Sequence, residues 1–273
     1  MKSKRAFLYH IILIITVCLF LYPLVYMVCT SFKTIPDIFS SGLRLIPRDP
    51  ILENYKRVNE VIPLLLYLRN SIIVATIVMT AKIITSVLAS YAVVFMDIRY
   101  KNVIFYAFTL TMFVPFTVIM LPNYITLAKM NLISTLIGVS LPQLADAMGI
   151  FRIRQAMRGI PKSLVEAARV DNVSHIKAMI RIIIPLVKPA IIAMSIFFFI
   201  DSWNQYFWPL IILKKREVYT ITLAMQEFLN LEGGMAWGSS VALATLTVLP
   251  PLILYVFAQR YIISTFLSSG LKE

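Results

Sequence analysis

The chain has 273 residues, 59% of them hydrophobic and only 14% charged, with a mean hydropathy of +0.82; that is more apolar content than one soluble core can bury. Its formal charge of +13 comes without a basic face or a nucleic-acid-binding module, and in so apolar a chain it reflects lysine and arginine held in cytoplasmic loops. Two histidines, His10 and His175, stand far apart and without cysteine partners, so no metal site and no catalytic set is expected.

Phe7 to Cys29 is apolar and follows Lys2, Lys4 and Arg5. It exceeds the roughly 7 to 15 residues of a signal-peptide core and reads as a retained first span. Cys18 and Cys29 both fall in it, and eleven helical steps put them roughly 16 Å apart, too far for a disulfide. Five more apolar stretches follow, giving spans at about 7–29, 71–95, 103–127, 134–151, 191–213 and 239–258; each is close to the roughly 20 residues a spanning helix needs. The predicted fold class is an all-α integral membrane protein, six transmembrane helices in a single domain over 1–273 with a cytoplasmic loop at 152–190 between spans four and five. Lys2, Lys4, Arg5, Arg99, Lys101 and the run from Arg152 to Lys188 fall on one side, which predicts that both termini are cytoplasmic.

Two connections are too long to be turns. The outer one, from Thr30 to Arg69, carries Pro36, Pro47, Pro50 and Pro63 between amphipathic pieces, which suits a rim on the membrane surface, either a packing lid or a docking surface. In the inner one, Ser163 followed by Glu166 has the spacing of a capping box and predicts a helix start. Ala167 and Ala168 keep one side of that helix slim, and Asn172 can adopt the left-handed turn that ends it. Ser174 can cap a second helix through Met179 and Ile183, broken at Pro185 and Pro189. The pair can either rest idle on the membrane face or dock in a groove on another protein.

Glu166-Ala167-Ala168, then Asn172, then Ile182 and Pro185 resemble the EAA loop of binding-protein-dependent ABC importer permeases. Asn172 stands where the family has glycine and Ile184 where it has leucine, with the spacing intact. Arg69-Asn70-Ser71, Trp203-Asn204-Gln205 with Trp208-Pro209-Leu210, and Leu249-Pro250-Pro251 extend the similarity over nearly the whole chain, towards the carbohydrate-uptake group. The resemblance implies that Glu166, Ala167, Ala168, Arg169, Asp171 and Asn172 form the coupling helix seated in a cleft of ATP-binding subunits. It also implies a second homologous permease subunit, an extracytoplasmic solute-binding protein, and a place in the bacterial inner membrane. The chain has no phosphate-cradling Gly-x-x-x-x-Gly-Lys-Ser/Thr loop, so ATP and Mg are expected on the partner ATPase, and no cofactor on this chain.

A charge at membrane depth costs about 3 kcal/mol on insertion scales, so Lys82, Asp146 and Asp201 require explanation. Lys82 can meet an anionic or hydroxyl-rich solute or pair with an aspartate, and both readings stay open. Asp146, with Gln143 and Gly149, suits helix packing. Asp201, Trp203, Asn204, Gln205 and Trp208 are the densest polar and aromatic cluster in any span, offering the hydrogen bonds and ring faces that sugars use, while Trp208 also suits an interfacial aromatic belt. With Lys82, the residues Asp201, Trp203, Asn204 and Gln205 form the expected substrate pathway for a sugar, oligosaccharide or glycerol-3-phosphate-type solute. The rival reading is a stand-alone secondary carrier with Lys82, Asp146 and Asp201 as its relay; a membrane enzyme lacks a catalytic pair.

Overall fold

The computed structural model describes residues 2–232 and 236–270, with side chains described over 7–232 and 236–259. Among the described residues every regular element is helical. Two compact units form, Met1–Leu66 with Ile221–Pro250, and Tyr67–Thr220 with Pro251–Glu273.

In the first unit, α1 (Lys2–Thr30) is a 29-residue helix whose apolar stretch has none of its residues buried. After it come α2 (Ile35–Ser40), α3 (Glu53–Val61) and the start of α4 (Leu64–Phe95). The connection that follows α1 is ordered by buried polar groups. Lys33, fully buried, donates to Ser41 Oγ at 3.0 Å and to the Arg44 carbonyl. Asp37 accepts from the Arg44 guanidinium at 2.6 Å and from the Arg48 N–H at 3.1 Å. Asn54 donates to the carbonyls of Ser31 and Lys33 at 2.8 and 2.9 Å. The side chains of Lys33, Asp37 and Asn54 are thereby satisfied, as a dry interior requires.

In the second unit, α5 (Lys101–Thr111) and α6 (Phe116–Lys129) meet at a 94° bend. Pro115 opens α6 with extended backbone; its missing N–H and its ring, which disfavours helix at Val114, keep α5 from running on. Next come α7 (Leu136–Ser140), a 3-10 turn over Leu141–Gln143, and α8 (Ala147–Arg158), with a 50° bend between them. The stretches at 103–127 and 134–151, predicted as unbroken helices, are therefore each two helices joined at a break. The 152–190 loop holds α9 (Ser163–Val170), α10 (His175–Ala178), a π-helical turn over Met179–Ile183 and α11 (Ile184–Leu186). The π turn precedes Pro185, where an ordinary ladder would clash with the proline ring. An 83° bend at Val187 leads into α12 (Lys188–Trp203). After a second interruption, α13 (Phe207–Ile212) follows. In sequence, α14 (Ile221–Leu231) belongs to the first unit and α15 (Trp237–Gly270) runs from the first into the second. Three described helices are long and apolar enough to cross a membrane, or up to six elements if each bent pair is one span.

Candidate functional site

Three helix interruptions in the second unit, after Thr111, after Gln143 and after Trp203, contribute to the lining of one open cavity of about 650 Å³. Irregular backbone in a membrane protein is tolerated where it is buried in protein or lines a watery space, and interrupted helices that converge in this way are a mark of transport sites. Lys82 from α4, Gln143 and Asp146 from the second break, Asp201 from the last turn of α12, and Gln205 and Tyr206 from the third break line it.

Lys82 is 6% exposed. Its Nζ stands 3.3 Å from Asp146 Oδ2 and 3.4 Å from Asp201 Oδ2, and lies over the Phe198 ring at 5.0 Å from the centroid. The ammonium is thus shared between two aspartates. Asp146 does more than support helix packing, because its Oδ1 accepts the Gly149 N–H at 2.9 Å and caps α8. Gly149 is needed there: a Cβ would come within 2.6 Å of the Phe198 ring and also strike Ser86 Oγ. Its absence lets α8 approach α4 and α12 closely enough for the three charges to meet.

The predicted pathway residues separate in space. Asp201 and Gln205 line the cavity, and Gln205 Nε2 donates to Gln143 Oε1 at 2.5 Å. Trp203 and Asn204 do not line it. Trp203 is 2% exposed and stacks on Phe199 at 5.9 Å, because it points from the last turn of α12 into the unit's interior; Asn204 is the residue that ends α12. Trp208 is likewise no exposed belt residue: it is buried, donates Nε1 to the Val139 carbonyl at 3.0 Å and meets Phe116 edge-on. Phe116 and Gln143 were missed as lining residues, although Pro115 and Pro142 beside them mark the breaks in the sequence.

In the 152–190 loop, Ser163 is not the cap. Lys162 precedes α9 in helical conformation and makes no side-chain cap bond, so Ser163 already sits in the first turn. Asn172 has φ of 58°, and the Asn172 and Val173 N–H groups donate back to the carbonyls of Arg169 and Ala168, a Schellman ending with asparagine in place of glycine. Ser174 caps α10, its Oγ accepting the Lys177 N–H at 3.4 Å. The slim side of α9 is divided. Ala168 and Val165 are buried in a core with Val87, Tyr91, Ile153, Met157 and Ile183, whereas Glu166, Ala167, Arg169, Asp171 and Asn172 are exposed. Ala168 therefore holds the helix to its own chain and is not free to face a partner.

A lysine shared between two aspartates in a cavity at interrupted helices fits a membrane transport permease. Residues 82–266 match the family described as binding-protein-dependent transport system inner membrane component, and the chain belongs to that family, the permeases of ABC importers. The sn-glycerol-3-phosphate transport system permease protein of Brucella melitensis biotype 1 is 31% identical over 262 residues, 93% of each chain. Its counterpart in Yersinia pestis bv. Antiqua is 30% identical over 267 residues, 95% of each. A chain of a bacterial ABC transporter involved in the import of the acidic polysaccharide alginate shares the fold, with a TM-score of 0.82 over 96% of this chain and 98% of that one at 22% identity.

Proposed function

We propose that this chain is a six-span permease subunit, both termini cytoplasmic, that works with a second homologous permease and with subunits that bind ATP and Mg. Together with an extracytoplasmic solute-binding protein they import a sugar, oligosaccharide or glycerol-3-phosphate-type solute. The two relatives named above carry glycerol 3-phosphate in their names, and the basic residues of the 152–190 loop support its cytoplasmic side. One observation carries the coupling role. Helix α9 is anchored by Val165 and Ala168 while Leu164 and Val170 remain 44% and 83% exposed, with Ile176 and Ile180 exposed beyond the Asn172 turn. An apolar surface on a short anchored helix suits docking into a groove of a partner. Closure of the ATP-binding subunits then moves Glu166 to Asn172, and the interrupted helices around the cavity change the side to which it opens.

The test is purification through a tag on this chain and reconstitution in liposomes with the binding protein. ATP-binding subunits should co-purify, and uptake should require both ATP and the loaded binding protein. Uptake that persists without ATP would establish the stand-alone carrier instead.

A further inference from the structure

The charges on the cavity wall narrow the solute class. Lys82 is the only cation among the described lining residues, and it is flanked by Asp146 and Asp201. One ammonium against two carboxylates leaves a formal surplus of one negative charge. The carboxylates differ in access: the Asp146 side chain is 25% exposed and spends one oxygen on the α8 cap, while that of Asp201 is 44% exposed. What an entering solute meets first is therefore a carboxylate, with the ammonium behind it.

We infer, resting on the importer reading above, that this wall serves hydroxyl-rich solutes without phosphate or carboxylate groups, and that Asp201 is the residue that turns anions away. A phosphate at Lys82 would have to displace two carboxylates already in place, and would face both of them at close range. A neutral polyol meets no such barrier. Its hydroxyls can donate to Asp201 and exchange hydrogen bonds with the Gln143–Gln205 amide pair, while its C–H faces lie on Tyr206 and Phe207, all lining residues. In this respect the wall departs from the names of the glycerol-3-phosphate permeases it resembles.

The wall's potential can be measured without knowing the solute. Cys18 and Cys29, the only cysteines, are replaced by serine, and Met112→Cys and Phe207→Cys are introduced separately as reporters at lining positions. The intact complex in liposomes is then labelled with the cationic and the anionic methanethiosulfonate of similar size. Relative to a free thiol, the cationic reagent should react at least tenfold faster at both reporters, and adding Asp201→Asn should bring that preference close to one. Equal rates, or a faster anionic reagent, overturn the inference; so does failure of both reagents at both reporters, since the cavity would then admit no solute. In parallel, mass spectrometry of the solute released from the co-purified binding protein should give a neutral sugar or polyol. A phosphorylated, acidic or cationic solute refutes the inference while leaving the importer reading intact, whereas absence of ATP-dependent uptake refutes the importer reading itself.

Discussion

Lys82 Nζ lies 3.3 Å from Asp146 Oδ2, on a carboxylate whose other oxygen caps α8 through the Gly149 N–H. One side chain thus fixes both a helix start and a buried cation, and the two roles can be separated by substitution. Asp146→Asn keeps a good capping oxygen and loses the ion pair, whereas Asp146→Ala loses both. The alanine variant should be less stable than the asparagine variant by about 1 kcal/mol, read as a lower midpoint in thermal unfolding of the detergent-solubilised complex.

Removing the cation instead leaves two carboxylates facing each other. Lys82→Gln should destabilise the second unit by on the order of 2 kcal/mol, less than for a fully buried pair because Asp201 is partly exposed. Poor membrane yield is the expected result, and Asp201→Asn in the same chain should recover part of it. Normal yield of Lys82→Gln with selective loss of uptake would show that Lys82 acts on the solute directly.

Gly149→Ala should fail for a steric reason. The added methyl meets the Phe198 ring and Ser86 Oγ, and the rigid neighbour on α12 can yield only by moving the helix, at a typical overpacking cost of about 1–3 kcal/mol. Phe198→Leu, which removes the ring, should restore part of the yield of Gly149→Ala when the two are combined. No recovery in the double variant would place the conflict at Ser86.

Ala167 and Ala168 should respond differently to the same change. Ala168→Leu overfills the core that includes Val165, Ile153 and Met157 and should lower yield. Ala167→Leu points away from that core and should leave yield unchanged while abolishing ATP hydrolysis stimulated by the loaded binding protein. Unchanged stimulation would show that α9 does not dock through this face.

The two ends of α9 make opposite predictions. Asn172→Ala forces a side chain without a local hydrogen bond into the left-handed region and should cost about 1 kcal/mol, whereas Asn172→Gly should be tolerated. Ser163→Ala should shift the unfolding midpoint little, within about 0.5 kcal/mol, because Ser163 makes no cap bond. Thermal unfolding of the three variants side by side checks all of this.

Much of the fold was legible in the sequence because the forces that specify it act between near neighbours. Transfer of apolar side chains out of water marks a spanning stretch from composition alone, and the backbone preferences of Asn172 and the hydroxyl of Ser174 set the end of one helix and the start of the next. Pro115 and Pro142 already carried the signal for two of the breaks, but local chemistry does not say that the breaks share one cavity. Tertiary packing decided that Lys82 meets Asp201, 119 positions further on, that Trp203 turns inward while Gln205 reaches the cavity, and that Ala168 is buried while Ala167 is exposed. Capping at Ser163 failed for an intermediate reason: Pro161 and Lys162 begin the helical turn early, with Lys162 accepting from the Val165 and Glu166 N–H groups, so the serine falls inside the helix it was spaced to cap. Spacing states which neighbours a residue can reach, whereas an ion pair between distant helices exists only once a glycine such as Gly149 has allowed them to approach.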